Sequence, residues 1–352
     1  MSKSIGKCFY DKLTFDNLLM AHERAKRNKS NKSEVIRYEM DLESNLINTM
    51  NSLKNGSYKL SEYREFKVYE PKERIIKSLP YKDRIVQQWY IHEFIMPYIV
   101  PRLVSTCSAC ILGRGTLYAV RKTQEYMRKM KKKYGNYYII KLDIKKYFYN
   151  IDRDILYEIM KSFIRDKRLL WLTKIFIYDN SDKLGIPIGN YTSQYFANIY
   201  LSLLDRYVVG EMGIKYYVRY MDDIVILVKD KKECKNVMNK VRYFLSDKLK
   251  LDLNEKSRYY PSDMGVNYCG YIIYETHRLL RKRNKIMIKK KIKRWRELDK
   301  EGILDRHSVL LSYNSWCAHV KHANSYLYKL IIDREMKLLL GGNGIGIETY
   351  LI

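Results

Sequence analysis

Three aspartates have the type and spacing to do chemistry. Asp222 and Asp223 sit side by side within Tyr216 to Val228, YYVRYMDDIVILV, a run that otherwise reads as buried sheet. Asp143 lies near the end of a second such run, YYIIKLDI, Tyr137 to Ile144. An ionised carboxylate loses its hydration on leaving water, and adjacent ones repel, so an Arg or Lys, a proton or metal ions must meet their charge. Neighbouring strands of one sheet would bring all three together. Oxygen ligands of this kind suit Mg²⁺, which binds through one or two carboxylates plus substrate phosphates. Two such ions about 3.5–4 Å apart can clamp the attacking and leaving oxygens of an in-line phosphoryl displacement. The competing reading is structural: Asp143 or Asp223 pairs with Arg219, Lys145 or Lys146.

Positioning these residues requires a sheet with helices around it. Tyr63 to Pro80 alternates as two short strands turning near Pro71, and 81–99 reads as a helix stopped near Pro97 and Pro101. Glycines at 113 and 115 lead into a basic helix ending near Gly135. Residues 152–164 form a helix with Asp152 as its cap, and LGIPIGNYTSQYFANIYLSLLDRYV, 184–208, is a Gly/Pro turn feeding a long apolar helix. After the 216–228 hairpin come a basic helix at 231–249, strands LDLN and VNYCGYIIY, and a lysine-rich helical tail from about Asn284. Upstream, 34–56 has helical spacing, with Val35, Ile36, Met40, Leu42, Leu46, Ile47 and Met50 as its apolar positions and Gly56 near its stop. This order predicts an α+β fold.

Composition narrows the partner. The 352 residues carry 67 Lys plus Arg against 39 Asp plus Glu, a net charge of +28, which calls for a polyanion. The start, MSKSIGKCFYDKLTF, lacks the apolar core of a signal peptide, and FIMPYIVP is too short to span a bilayer. No membrane association is expected. The six cysteines are scattered, and the Cys107/Cys110 pair has no second pair at zinc spacing, so reduced thiols and a cytoplasmic protein are expected.

Several motifs, in order, carry a resemblance. Tyr220-Met221-Asp222-Asp223 is a YxDD box, LDIKKYFYNID resembles the first carboxylate motif, RIIKSLPYKDRIVQ the fingers motifs, and LDLNEKS and VNYCGYIIY the later palm motifs of reverse transcriptases. The resemblance covers about residues 63–330. It implies a right-hand polymerase fold with a helical N-terminal extension (1–62), fingers (63–136), a palm (137–280, with a fingers segment at about 153–184) whose antiparallel sheet carries the YxDD hairpin, and a helical thumb (281–352). Ile186 to Gln194, IPIGNYTSQ, is similar to enzymes of diversity-generating retroelements: Ile188 stands where group II intron and retron enzymes carry Gln, and Gln194 where they carry Pro. The stretch SYNSWCAHVKHANSYL and an end soon after the thumb fit the same type.

The resemblance also implies roles. Asp143, Asp222 and Asp223, with Ile144 beside them, would hold two Mg²⁺ ions, with Mn²⁺ as a substitute, Asp223 in a weaker role. Lys72 and Arg74 would grip the incoming dNTP, a guanidinium fork suiting phosphate oxygens, and Phe148 would be an aromatic gate against a ribose 2′-hydroxyl. Ile188 and Gly189 would line the nucleotide site, Ile188 offering apolar contact only and hence low fidelity. Cys269, Gly270 and Tyr271 match the primer grip, and Arg84, Arg114, Asn190, Gln194 and Lys256 are expected to face template RNA. His319 and His322 read as structural or RNA-facing, and lysines 131–133 and 289–291 as phosphate-facing. Expected partners are a structured template-repeat RNA, a cDNA primer, dNTPs and a small basic pentameric accessory variability protein. Two alternatives stay open: another bacterial reverse transcriptase, of the phage-defence or retron-like kind, and a non-catalytic RNA-binding protein that keeps the fold.

Overall fold

The structure, a computed structural model, describes residues 4–69, 73–178 and 184–341. They group into two compact units, Met1–Ala119 with Ile140–Ile226 and Asp230–Tyr259, and Val120–Ile139 with Leu227–Lys229 and Tyr260–Ile352. Among the described residues no helix is long and apolar enough to cross a membrane, and all six cysteines are free thiols.

After a single helical turn at Phe9–Lys12, the first unit continues with helices α1 (Phe15–Lys26), α2 (Ser33–Met40) and α3 (Leu42–Asn55). The sequence predicts one helix over 34–56, but the chain leaves helical geometry at Asp41 (φ −127°, ψ 46°). That break rotates the apolar positions apart: Val35 and Leu46 are buried, while Met40 is 75% exposed. Gly56 ends α3 in the left-handed conformation, as glycine does most readily. Strands β1 (Arg64–Val68) and β2 (Arg74–Ser78) pair antiparallel, and α4 (Tyr81–Tyr90) continues through a π turn at Ile91–Ile95. Trp89 meets Phe9 and Phe94 edge-on at 5.4 and 5.2 Å, giving this unit an aromatic core.

Helix α5 (Thr116–Tyr134) precedes β3 (Tyr138–Asp143). Asp152 caps α6 (Arg153–Phe163), accepting from the N–H groups of Asp154 and Ile155, a contribution of about 1 kcal/mol. Helix α7 (Lys167–Ile177) follows, capped in the same way by Asp166. Helix α8 (Tyr191–Tyr200) is prolonged by a short helix, Ser202–Arg206, and a π turn. Strands β4 (Tyr217–Tyr220) and β5 (Asp223–Val228) form the expected hairpin, and α9 (Lys231–Leu249) the expected basic helix. The four-stranded sheet is ordered β4-β5-β3-β6, where β6 is Arg258–Pro261. LDLN is therefore not a strand: it makes one bridge, Ile144 to Leu253, and the edge strand lies a few residues later.

In the second unit VNYCGYIIY is a hairpin rather than one strand, β7 (Val266–Tyr268) and β8 (Tyr271–Ile273), with β9 (Arg278–Leu280) alongside. Helices α10 (Lys282–Lys300), α11 (Arg306–Val320) and α12 (Tyr326–Leu340) pack around Ile288, Ile292, Val309, Tyr313, Ile332 and Met336.

Candidate active site

The hairpin puts Tyr220 opposite Asp223, so Met221 and Asp222 are its two turn residues. Two-residue hairpin turns need positive φ, which favours Gly or Asn. Met221 takes φ 56° without being either, a local cost of order 1–3 kcal/mol. Asp222 thus stands at the tip, half-buried. Burial raises its carboxyl pKa, its own backbone N–H lowers it, the Asp143 charge raises it again, and Lys141 and Arg74 pull it down. Asp143, Lys141 and Arg74 are therefore all within electrostatic reach of Asp222.

Asp143 ends β3, the strand beside β5. Its backbone is braced by LDLNEKS: its N–H donates to Ser257 Oγ at 3.0 Å, and its carbonyl accepts from the Asn254 N–H at 2.7 Å. Ile144 is buried beside it. Asp223 is in contact with the Lys141 ammonium. The structural partners considered from sequence are thus corrected: Arg219 spends its charge on Asp205, and the lysine against Asp223 is Lys141. Period-two alternation puts Lys141 on the same strand face as Asp143, a signal legible in YIIKLD. Among the described residues no three His, Cys, Asp or Glu side chains converge at ligand distance. The arrangement is two acids near each other and a third held by a lysine.

Phe148 lies in the turn Tyr147–Asn150, edge-on to Tyr147 at 5.6 Å. Tyr147 is buried and donates its hydroxyl to the Ala197 carbonyl at 2.5 Å. The Phe148 carbonyl accepts from the Ile186 N–H, and the Ile188 carbonyl from the Lys77 N–H, each at 2.8 Å. The 186–189 loop is thereby fixed between the Phe148 turn and β2. At Gly189 φ is 126°, and a Cβ would lie 2.5 Å from the Lys77 carbonyl oxygen, so only glycine permits this approach. Ile75, Lys77, Tyr149, Arg153, Ile186 and Ile188 border a cavity of about 270 Å³. Arg74 begins β2 opposite Val68; Lys72 lies outside the described residues.

The residues expected to face RNA divide. Arg84 is committed within the fold, to Glu34 at 2.8 Å, the Leu79 carbonyl and Ser78 Oγ. Arg114 donates to the carbonyls of Val104 and Cys107, and Asn190 is buried and donates to the Tyr63 hydroxyl at 2.8 Å. Gln194 and Lys256 are exposed. Gln194, with Lys29, Arg84 and Gln87, borders a polar cavity of about 320 Å³.

In the second unit Cys269 and Gly270 are the turn between β7 and β8, with φ 47° and 92°, the pattern of a type I′ turn. Tyr271 donates to the His319 carbonyl at 2.7 Å, and burial pushes its hydroxyl pKa up to about 12. A Cβ on Gly270 would lie 2.9 Å from His319 Cε1. Asn284 donates to the Gly270 carbonyl at 3.2 Å and meets His319 Nε2 at 2.9 Å. His319, whose pKa burial lowers, is thus a support for this turn; long sequence separation hid that pairing.

The family model for reverse transcriptase (RNA-dependent DNA polymerase) matches residues 67–273. The COX1/OXI3 intron 2 protein of Saccharomyces cerevisiae is 24% identical over 295 residues, covering 64% of this chain and 34% of that protein. Telomerase from Candida albicans, solved with a TWJ fragment of telomeric RNA, matches with TM-score 0.50 at 12% identity, over 82% of this chain and 56% of that one. Truncated apo telomerase from Candida tropicalis gives TM-score 0.45 at 14% identity, over 67% and 58%. This chain therefore spans about a third of the yeast relative and little more than half of each telomerase chain. The Candida albicans likeness agrees with the α+β polymerase fold, and the match to the family model covers more than half of the 352 residues: the chain belongs to the reverse transcriptase (RNA-dependent DNA polymerase) family.

Proposed function

We propose that this RNA-directed DNA polymerase serves a diversity-generating retroelement, copying a template-repeat RNA into error-prone cDNA with a small basic pentameric accessory protein as partner. The observation that carries the finer reading is Ile188. Its backbone is pinned between β2 and the Phe148 turn, and its side chain brings no hydrogen-bonding group where related polymerases have Gln. A site discriminates strongly only when a wrong substrate leaves its polar groups unpaired. An apolar side chain leaves none.

Asp143 and Asp222 are the residues to hold divalent ions, with Asp223 in support. Their chemistry fits: two carboxylates repel across a half-buried site, burial and Asp143 raise the Asp222 pKa, and a hard cation relieves both. Divalent ions bound there supply charge neutralisation to the triphosphate and acidify the primer 3′-hydroxyl. Arg74 binds triphosphate oxygens, Phe148 excludes a 2′-hydroxyl, and Lys141 holds Asp223 in place. Magnesium is the natural ion for two carboxylates completed by phosphates.

A second reading, a reverse transcriptase serving an intron, is favoured by the match to the yeast intron 2 protein. Primer extension on one RNA template, sequenced product by product, separates them. The retroelement reading expects errors concentrated opposite adenine, a several-fold fall in Ile188→Gln, and no product from Asp222→Ala. Errors spread evenly over the four bases and unchanged in Ile188→Gln would favour the intron reading; full product from Asp222→Ala would remove the metal assignment.

A further inference from the structure

The geometry points to Arg219 as a positioning residue for Asp222, acting through the carbonyl of Met221; this rests on Asp222 being a catalytic carboxylate, as proposed above. Arg219 and Asp205 are both fully buried. The guanidinium grips Asp205 in a two-pronged fork, Nε to Oδ1 at 2.7 Å and Nη2 to Oδ2 at 2.6 Å. Nη1 donates to Asn198 Oδ1 at 3.1 Å and to the Met221 carbonyl at 3.0 Å. Nη2 also reaches the Asn198 carbonyl at 3.3 Å and Cys107 Sγ at 3.2 Å. The other ends are tied in turn: Tyr217 donates its hydroxyl to Asp205 Oδ1 at 2.5 Å, and Asn198 donates to the Ala109 carbonyl at 2.7 Å.

Stability alone does not explain this arrangement. A buried ion pair is often no more stable than well-packed apolar residues of the same volume. What the guanidinium does that apolar groups cannot is fix the Met221 carbonyl. Because the peptide unit is planar, fixing that oxygen orients the Met221–Asp222 peptide and the Asp222 Cα. The turn needs such a restraint, since Met221 is held at φ 56°. The backbone of Arg219 is clamped as well, its N–H donating to the Thr106 carbonyl at 3.1 Å and its carbonyl accepting from the Ser108 N–H at 3.0 Å. The carbonyl-to-guanidinium bond thus joins the tip of the hairpin to α8, the short helix Ser202–Arg206 and segment 106–109. Lysine keeps the charge but lacks the planar fork needed to serve Asp205, Asn198 and Met221 together.

The test uses full-length Arg219→Lys and the apolar double variant Arg219→Met with Asp205→Leu, which removes the charge pair and keeps the bulk. Melting curves and circular dichroism establish folding, single-nucleotide incorporation gives kcat and KM for dNTP, and electron paramagnetic resonance measures Mn²⁺ binding with dNTP present. Misplacement of a reacting group by an ångström costs about 10²-fold, so a folded variant is expected to lose about 10²-fold in kcat. Its dNTP KM should move less than about twofold and its Mn²⁺ affinity fall several-fold. A folded variant with wild-type kcat and Mn²⁺ affinity overturns the inference, and so does failure of both variants to fold, which would make the network a stability element. Asp222→Ala runs alongside: if it is inactive while Arg219→Lys is normal, only this inference fails, and if it is active, the reading beneath fails.

Discussion

At the scale of single residues, Asp222 is in tension with the fold that carries it. Burial and the Asp143 charge raise its pKa above the ordinary value, so the folded chain favours the protonated acid. Stability from this group is present below the unfolded value of about 4 and is lost as pH rises through the raised folded value, because the unfolded chain then releases the proton more readily. Asp222→Asn removes the ionisation. In chelator it is expected to melt higher than wild type at neutral pH, with the gap opening as pH rises from about 4, while nucleotide incorporation is lost; Mg²⁺ should narrow the gap. Differential scanning fluorimetry across that range checks it, and equal melting curves would mean that Asp222 bears no such strain. The acids themselves were legible because a DD pair in an apolar run has no ordinary explanation. Lys141 was legible too, from strand alternation, whereas Asp205, the true partner of Arg219, is brought to it only by the tertiary fold.

Local periodicity is enough for some elements, while boundaries and edges that depend on packing partners are hidden from it. The hairpin at 217–228 and the helix at 231–249 declare themselves by spacing. Strand β6 does not, since Arg258–Pro261 is a half-exposed edge with little apolar pattern, and the break at Asp41 cannot be seen in a helical repeat that continues past it. The 186–189 loop shows how glycine marks such a junction. At Gly189 alanine meets both an unfavourable φ and the Lys77 carbonyl at 2.5 Å, whereas at Gly113, φ 75°, nothing lies within 4 Å. Gly113→Ala should therefore cost only the left-handed backbone, about 1–2 kcal/mol. Gly189→Ala should cost more and raise the dNTP KM, because Ile188 can no longer dock on β2. Denaturant melts and incorporation kinetics on the pair check this, and equal stabilities with unchanged KM would show the loop to be free of β2.

Across the whole molecule the net charge of +28 was the most legible feature, yet sequence could not say which cations are spent inside. Arg84, Arg114, Arg219, Lys141 and Lys77 are bound to groups of the chain itself. The runs at 131–133 on α5 and 289–291 on α10 are exposed, although Lys133 lies over the Tyr134 ring and Lys291 donates to Ser312. Exposed cations bind RNA by displacing counterions from phosphates, so affinity falls as a power of salt concentration, with each phosphate contact adding about 0.7 to the slope for a single strand. Replacing Lys289, Lys290 and Lys291 together by Gln is expected to weaken RNA binding for all sequences alike and to flatten the slope of log K against log salt by about 1–2. Fluorescence anisotropy over a salt series measures it. A parallel line, displaced or not, would mean that the α10 run faces water rather than RNA, and the excess charge would then have to act through α5 and the other exposed cations.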